Sequence, residues 1–408
     1  MNLVPFTNPY RPGAGHMPPY LAGRAAEYDE FERLLAQDDI LDNLILTGLR
    51  GVGKTVLLET LRPRAQRQGW LWVGADLSES ASVTEESLAI RIITDLAVVT
   101  SSFTVTTPPT VPTGFSAEPL QDVEVALGYD VLKRVYDSTP GLVSDKLRTV
   151  LELAHACLSS ANQGRLIFAY DEAQNLADGV TRDQFPLSLL LDVFQSIQRR
   201  GVPFMLVLAG LPTLFGKLVD ARTYAERMFR VVTLGRLSED ESREAIVKPV
   251  ESANCPVRLD EASISTICRE SGGYPYFIQF ICREAYDVFA QGRARVPIDA
   301  IQRKLDTDFF AGRWARVTDR QRQLLYVAAQ SEAPDEEFTV QEIVARSQEL
   351  LEKGFSPSHV SQMLGGLADH GLVYKNRFGK YSFAVPHLGR FILRNFTAPE
   401  VNSDPPRE

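Results

Sequence analysis

The sequence predicts an α/β fold in three parts: a parallel sheet covered on both faces by helices, a small helical domain, and a C-terminal group of three helices closed by a hairpin. Three observations predict it. Apolar runs of strand length alternate with helical segments as far as residue 234. From 237 to about 311 the pattern is wholly helical. Beyond 313, three helical segments precede two short alternating runs placed around Asn376-Arg377-Phe378-Gly379-Lys380.

Residues 1–24 are rich in Pro, Gly, Asn and Tyr and read as an extended N-terminal arm. Residues 25–235 form the α/β domain, opening with a helix over Ala25 to Leu35. Strands are expected at Leu44 to Leu46, Trp70 to Ala75, Leu166 to Tyr170, Phe204 to Ala209 and Phe229 to Leu234. Their near-continuous apolar character is that of strands buried on both faces. Helices at Thr84 to Val98, Val143 to Ser159 and Pro186 to Arg199 separate them. The Ser/Thr/Pro-rich stretch after Ser101 breaks the alternation, so 100–128 is expected to be a loop insertion, either a plain solvent loop or a segment that touches a partner or DNA.

Ser238 and Glu241 have capping-box spacing and start the helical domain, 236–312. Its helices run Glu241 to Ser252, Glu261 to Glu270, Pro275 to Ala290 and Ile298 to Phe310. In 313–397, helices are expected at Asp319 to Ala329, Val340 to Arg346 and from Pro357, where a missing N–H is harmless. Gly371 closes that third helix. Leu372 to Lys375 and Tyr381 to Phe383 then make the hairpin, and Phe391-Ile392-Leu393 lies in a closing helix. Three helices and a hairpin are a winged helix-turn-helix. Residues 398–408 are expected as a disordered tail.

Function enters through Gly48-Leu49-Arg50-Gly51-Val52-Gly53-Lys54-Thr55, a G-x-x-x-x-G-K-[ST] loop between a strand and a helix. Its glycines permit positive φ and close wrapping around a phosphate, and the following helix N-terminus adds partial positive charge. Lys54 is placed to reach the β- and γ-phosphates, and the Thr55 hydroxyl to ligate Mg²⁺. A second motif supports the first. The buried run Leu166 to Tyr170 ends in Asp171-Glu172, and two acids directly after a buried strand are costly unless they meet a cation. Asp171 is the expected Mg²⁺ partner and Glu172 the group that polarises an attacking water.

Composition limits the alternatives. At 408 residues, the chain exceeds one core. Its net charge of −9 argues against a globally basic nucleic-acid binder but leaves room for a local basic patch. Cys157, Cys255, Cys268 and Cys282 lack C-x-x-C spacing, which argues against a zinc site or disulfide framework and suits a reducing cytoplasm. No apolar run is long enough to span a membrane.

Together, Gly48–Thr55, Leu166–Glu172, the strand Leu206–Leu211, Leu237–Glu241 and Gly272-Gly273-Tyr274-Pro275 resemble an AAA+ P-loop ATPase. The likeness is to the branch holding archaeal-type and initiator-like ATPases and the STAND signalling ATPases. It implies ATP and Mg²⁺ bound between the sheet domain and a helical lid, with hydrolysis tied to self-association. It implies nucleotide contacts from Gly48, Arg50, Gly51, Val52, Gly53, Lys54, Thr55 and Val56, and an adenine-contacting segment at Leu21 to Arg24, with Arg24 in the binding set. Arg227 and Arg230 are the candidate arginine fingers, with Arg222 weaker. Gly210 occupies the usual polar sensor position, with Thr213 as the substitute. The lid carries no arginine after its glycine pair, and Pro275 resembles the STAND proline that faces the nucleotide.

The winged helix leaves two readings. Its third helix contains no Lys or Arg, whereas Lys375, Arg377 and Lys380 cluster on the wing and are candidate contacts for double-stranded DNA. The first reading is an ATP-dependent switch that engages DNA or a partner protein. The second is a regulator in which the winged helix contacts protein or restrains the ATPase. The pair Asp171-Glu172 favours an ATPase over a passive binder in both.

Overall fold

The computed structural model describes residues 7–13, 15–78, 84–107, 123–253, 258–290, 297–331, 337–376 and 379–397. The first helix is α1 (Ala25–Leu35), followed by β1 (Asn43–Thr47), α2 (Lys54–Arg67), β2 (Leu71–Val73) and α3 (Glu85–Thr100). Next come β3 (Thr104–Thr107), β4 (Val123–Ala126), α4 (Tyr129–Ser138), α5 (Val143–Ser160) and β5 (Leu166–Tyr170). The domain closes with α6 (Pro186–Gln198), β6 (Phe204–Gly210), α7 (Thr213–Ala221) and β7 (Phe229–Thr233).

Five strands form one parallel sheet in the order β2-β5-β6-β1-β7. In register, Ile45 faces Leu208 and Phe168 faces Leu206. β1, β5 and β6 are buried along their whole length, because helices cover both faces. One face packs α3, α5 and α6 over Ile45, Phe168 and Leu206. The other packs α1 and α2 over Leu44, Ile167 and Val207. Ile45 has no exposed surface. Ile45→Val is therefore expected to cost about 0.5–1.5 kcal/mol of stability, read from denaturant unfolding midpoints.

The stretch expected as a loop insertion, 100–128, is a β-ribbon at its stem. β3 and β4 pair antiparallel, with Thr104 opposite Ala126 and Thr107 opposite Val123. The β-branched residues Thr104, Val105, Thr106 and Thr107 favour a strand, which the neighbouring prolines obscured. The tip, 108–122, lies outside the described residues, as do the tail 398–408 and Arg377. α4 and α7 were also not expected. α7 lies in a segment without a clear apolar period, and α4 follows directly on the ribbon.

The helical part contains α8 (Glu239–Ser252), α9 (Glu261–Ser271), α10 (Pro275–Ala290) and α11 (Ile298–Leu305). The expected capping box forms: Glu241 N–H donates to Ser238 Oγ, and Ser238 N–H donates to Glu241 Oε2 at 2.7 Å. After α11, Asp306–Ala311 is a π-helical turn that leads into α12 (Gly312–Trp314). The C-terminal part follows as α13 (Asp319–Ala329), α14 (Val340–Leu350), α15 (Pro357–Asp369), β8 (Val373–Lys375), β9 (Tyr381–Phe383) and α16 (Leu388–Asn395). This is the order expected of a winged helix-turn-helix, with β8 and β9 antiparallel. The helical part and the C-terminal part share one continuous hydrophobic core.

The N-terminal arm has no regular element but is well anchored. Tyr10 is buried and its hydroxyl donates to the Ile246 carbonyl on α8. Asn8 donates to the Arg283 carbonyl and to Asp287 on α10, both at 2.9 Å. Among the described residues, no helix is long and apolar enough to cross a membrane.

Candidate nucleotide site

β1 ends at Thr47 and α2 begins at Lys54, so residues 48–53 are the turn between them. Gly51 and Gly53 take φ values of +81° and +92°, where a side chain would be strained. Gly53 is also the N-cap of α2, which sets the positive end of that helix against the loop. Lys54 Nζ donates to the carbonyls of Gly48 (2.9 Å) and Leu49 (3.0 Å). Burial lowers the pKa of its ammonium, a shift that Asp171 and Glu172 oppose and Arg50 reinforces.

β5 delivers the acids from two strands away, with β6 between β1 and β5. Asp171 is buried and accepts a hydrogen bond from the Thr55 hydroxyl. Its other carboxylate oxygen accepts from the Glu172 N–H at 2.7 Å. The two motifs are thus in direct contact. Glu172 has a left-handed backbone, φ +52°, an uncommon conformation for a non-glycine residue and one that clusters at functional sites. A third acid joins them: Asp76 pairs by a backbone bridge with Asp171. Burial raises the pKa of Asp76, and the charges of Asp171 and Glu172 raise it further. Such a cluster favours an incoming cation.

A cavity of about 460 Å³ opens over the loop. Of the residues expected to bind nucleotide, Arg24, Arg50, Gly51, Val52, Gly53, Lys54, Thr55, Val56 and Pro275 line it, while Gly48 does not. Glu172 lines it too. Arg24 is buried, donating to the Val52 carbonyl at 2.8 Å and the Gly235 carbonyl at 3.3 Å, with Glu27 as ion-pair partner at 3.1 Å. It therefore braces the loop as well as facing the cavity. Residues that the sequence did not reveal complete the wall: Arg11 and His16 from the arm, Tyr276 from the lid, and Arg313 from α12. None belongs to a motif with its own spacing. Five Lys or Arg side chains against Glu172 and Asp308 make the lining cationic. Arg50 Nε is buried with no hydrogen-bond partner among the described residues. This chemistry fits a polyphosphate.

The polar group at the end of β6 is also not the one expected. Thr213 opens α7 and does not line the cavity. Instead Gln174 donates to the Glu172 carboxylate and accepts from the Leu211 N–H at 3.0 Å. The candidate arginine fingers lie elsewhere. β7 runs parallel to β1 from Phe229 opposite Asn43, so Arg227 and Arg230 sit at the start of the strand, at the end of the sheet away from the loop. Arg227 is exposed, Arg230 pairs with Glu30 at 2.5 Å, and Arg222 makes a two-pronged bond to Asp192. None of the three lines its own chain's cavity.

Residues 20–213, which span the loop, both acidic positions and the end of the arm, match the family model of an AAA ATPase domain. The chain carries an AAA ATPase domain. Residues 307–392 match a domain of unknown function. The Walker-type ATPase PABY2304 of Pyrococcus abyssi is similar in structure at 15% identity and a TM-score of 0.58, covering 91% of this chain and 96% of that one. The ADP form of the ORC2 protein of Aeropyrum pernix is similar at 14% identity and a TM-score of 0.54, covering 96% of each. At these identities the likeness is one of fold, and it extends beyond the AAA ATPase domain to the lid and C-terminal part. No curated protein is similar in sequence at a significant level.

On the wing, Lys375 is exposed and Lys380 lies 3.8 Å from Glu337. Asn376 also donates to Glu337, at 2.6 Å. The outward positions of α15, Ser358, Ser361 and Gln362, are exposed and uncharged.

Proposed function

We propose that the protein is an ATP-binding and ATP-hydrolysing switch whose nucleotide state governs assembly and the engagement of DNA or a partner protein by its C-terminal domain. One observation carries this reading: the phosphate loop is touched by all the other parts at once. Tyr276 N–H of the lid donates to the Gly51 carbonyl at 3.2 Å, and Arg50 N–H donates to the Ala384 carbonyl of the C-terminal domain at 3.4 Å. A Cβ on Gly371 would come within 2.9 Å of the Arg50 guanidinium. A ligand that reorders this loop acts on the lid and on the winged helix together.

In the proposed reaction Lys54 leaves its two carbonyls for the phosphates, while the loop and Arg50 orient them. Thr55 and Asp171 are the oxygen pair suited to Mg²⁺, which when bound neutralises phosphate charge. Glu172, held by Gln174, orients the attacking water and receives its proton. Hydrolysis is slow in the isolated chain and stimulated by a partner. Exposed Arg227 acts, if at all, in the cavity of a second copy assembled in ATP.

The test is ATP turnover with and without duplex DNA, alongside sizing in ATP and in ADP. Expected are a larger assembly in ATP and weak, salt-sensitive duplex binding that ATP strengthens and the combined Lys375/Arg377/Lys380→Ala variant loses. Equal duplex binding by that variant would remove the wing from the mechanism. It would favour the second reading, the winged helix as a restraint, to which the Arg50–Ala384 contact and the uncharged face of α15 already lend support.

A further inference from the structure

The lid has no arginine after Gly272-Gly273, yet the cavity receives one from another element. Arg313 stands on α12, in the connection between lid and C-terminal domain, and lines the same cavity as Lys54 and Arg50. It is half-buried, with its guanidinium 4.2 Å from the centre of the Phe309 ring and donating to the Phe309 carbonyl. Among the described residues no carboxylate forms an ion pair with Arg313, Arg50 or Lys54, although Asp308 lines the cavity. Burial lowers the pKa of Arg313, and the like charge of Arg50 lowers it further. Cations held together out of water are best relieved by an anion between them.

The segment that carries Arg313 is fastened to the last helix of the chain. Asp306, buried at the start of the π-helical turn, accepts from Arg394 Nε at 3.0 Å and from Asn395 at 2.8 Å, both on α16. Phe310 in the same turn stacks on Phe391 of α16, with centroids 5.1 Å apart and planes at 19°. Turns of this type are energetically poor and recur at functional positions. A shift of Arg313 toward the loop must therefore either unwind the turn or carry α16 with it.

We propose that Arg313 binds the terminal phosphate of the nucleotide and that the π-helical turn 306–311 passes this contact to the C-terminal domain. The inference rests on the ATP reading above. It makes Arg313 the residue that separates ATP from ADP, and Arg50 and Lys54 residues that hold both.

The test uses the full chain, with fluorescent ADP and a fluorescent non-hydrolysable ATP analogue, in wild type, Arg313→Gln and Arg313→Lys. Arg313→Gln is expected to weaken analogue binding roughly tenfold or more, as for loss of a charge-assisted hydrogen bond, and to leave ADP binding within about twofold. Arg313→Lys keeps most of the preference. Hydrogen exchange of the wild type supplies a readout that needs no variant: segments 306–314 and 388–395 exchange differently with the analogue than with ADP. Equal weakening of both nucleotides in Arg313→Gln, no weakening of either, or exchange in the wild type that ignores the terminal phosphate overturns the inference and leaves the ATPase reading standing. A wild type that binds neither nucleotide overturns both.

Discussion

Glu172→Gln is expected to lower ATP turnover by roughly 10²–10⁴-fold, the range for loss of a positioned general base, and to leave nucleotide affinity within a few fold. The substitution keeps the shape and removes the charge. Affinity is spared because the phosphate-facing groups lie in the loop and α2, while Glu172 meets the cavity from the end of β5. Its partner would change too. Gln174 now donates to the carboxylate and is fixed at its other end by Leu211 N–H; against an amide it must share two donors and one fewer charge. Gln174→Ala is thus a milder version of the same lesion. Single-turnover hydrolysis and equilibrium binding, measured on the same preparation, separate the two effects. Wild-type turnover in Glu172→Gln would withdraw the catalytic role from this carboxylate and shift attention to Asp76, the other acid bridged to Asp171.

What the sequence disclosed depended on whether a residue's neighbours in space were also its neighbours along the chain. Lys54 and Thr55 follow their loop directly, and Asp171-Glu172 follow their strand, so residue type and spacing were enough to find them. The five sheet strands were legible for a related reason: strands buried on both faces must be apolar throughout, and Leu166–Tyr170 and Phe204–Gly210 are. Arg313 and Arg11 were invisible. Each is one arginine in an irregular stretch, brought to the cavity by packing of distant segments, such as Tyr10 against α8. Gln174 was missed because the polar partner of the β6 end was sought after β6, at Thr213, whereas the fold supplies it from the turn after β5. The ribbon at 104–107 and 123–126 was hidden by composition: Ser, Thr and Pro signal a loop, yet alternating β-branched residues pair once a second strand lies opposite.

Lys54→Ala is expected to weaken ATP and ADP alike, by roughly 10²-fold, because two phosphates lose charge-assisted hydrogen bonds that are worth about 1.5–3 kcal/mol each. Its effect on the fold should be far smaller, and the reason is a balance of opposing costs. The variant strips a donor from the carbonyls of Gly48 and Leu49, which water reaching the open cavity can replace. It also removes an ammonium whose charge is disfavoured by burial and by Arg50. These two changes act in opposite directions on stability, whereas nothing opposes the loss of phosphate binding. Calorimetric titration with each nucleotide and a thermal melt without nucleotide distinguish the cases. A variant that melts as the wild type does and binds neither nucleotide places Lys54 on the phosphates. One that melts many degrees lower would mean that the lysine chiefly holds the loop together, and the cationic lining from Arg50 and Arg313 would then have to account for whatever binding survives.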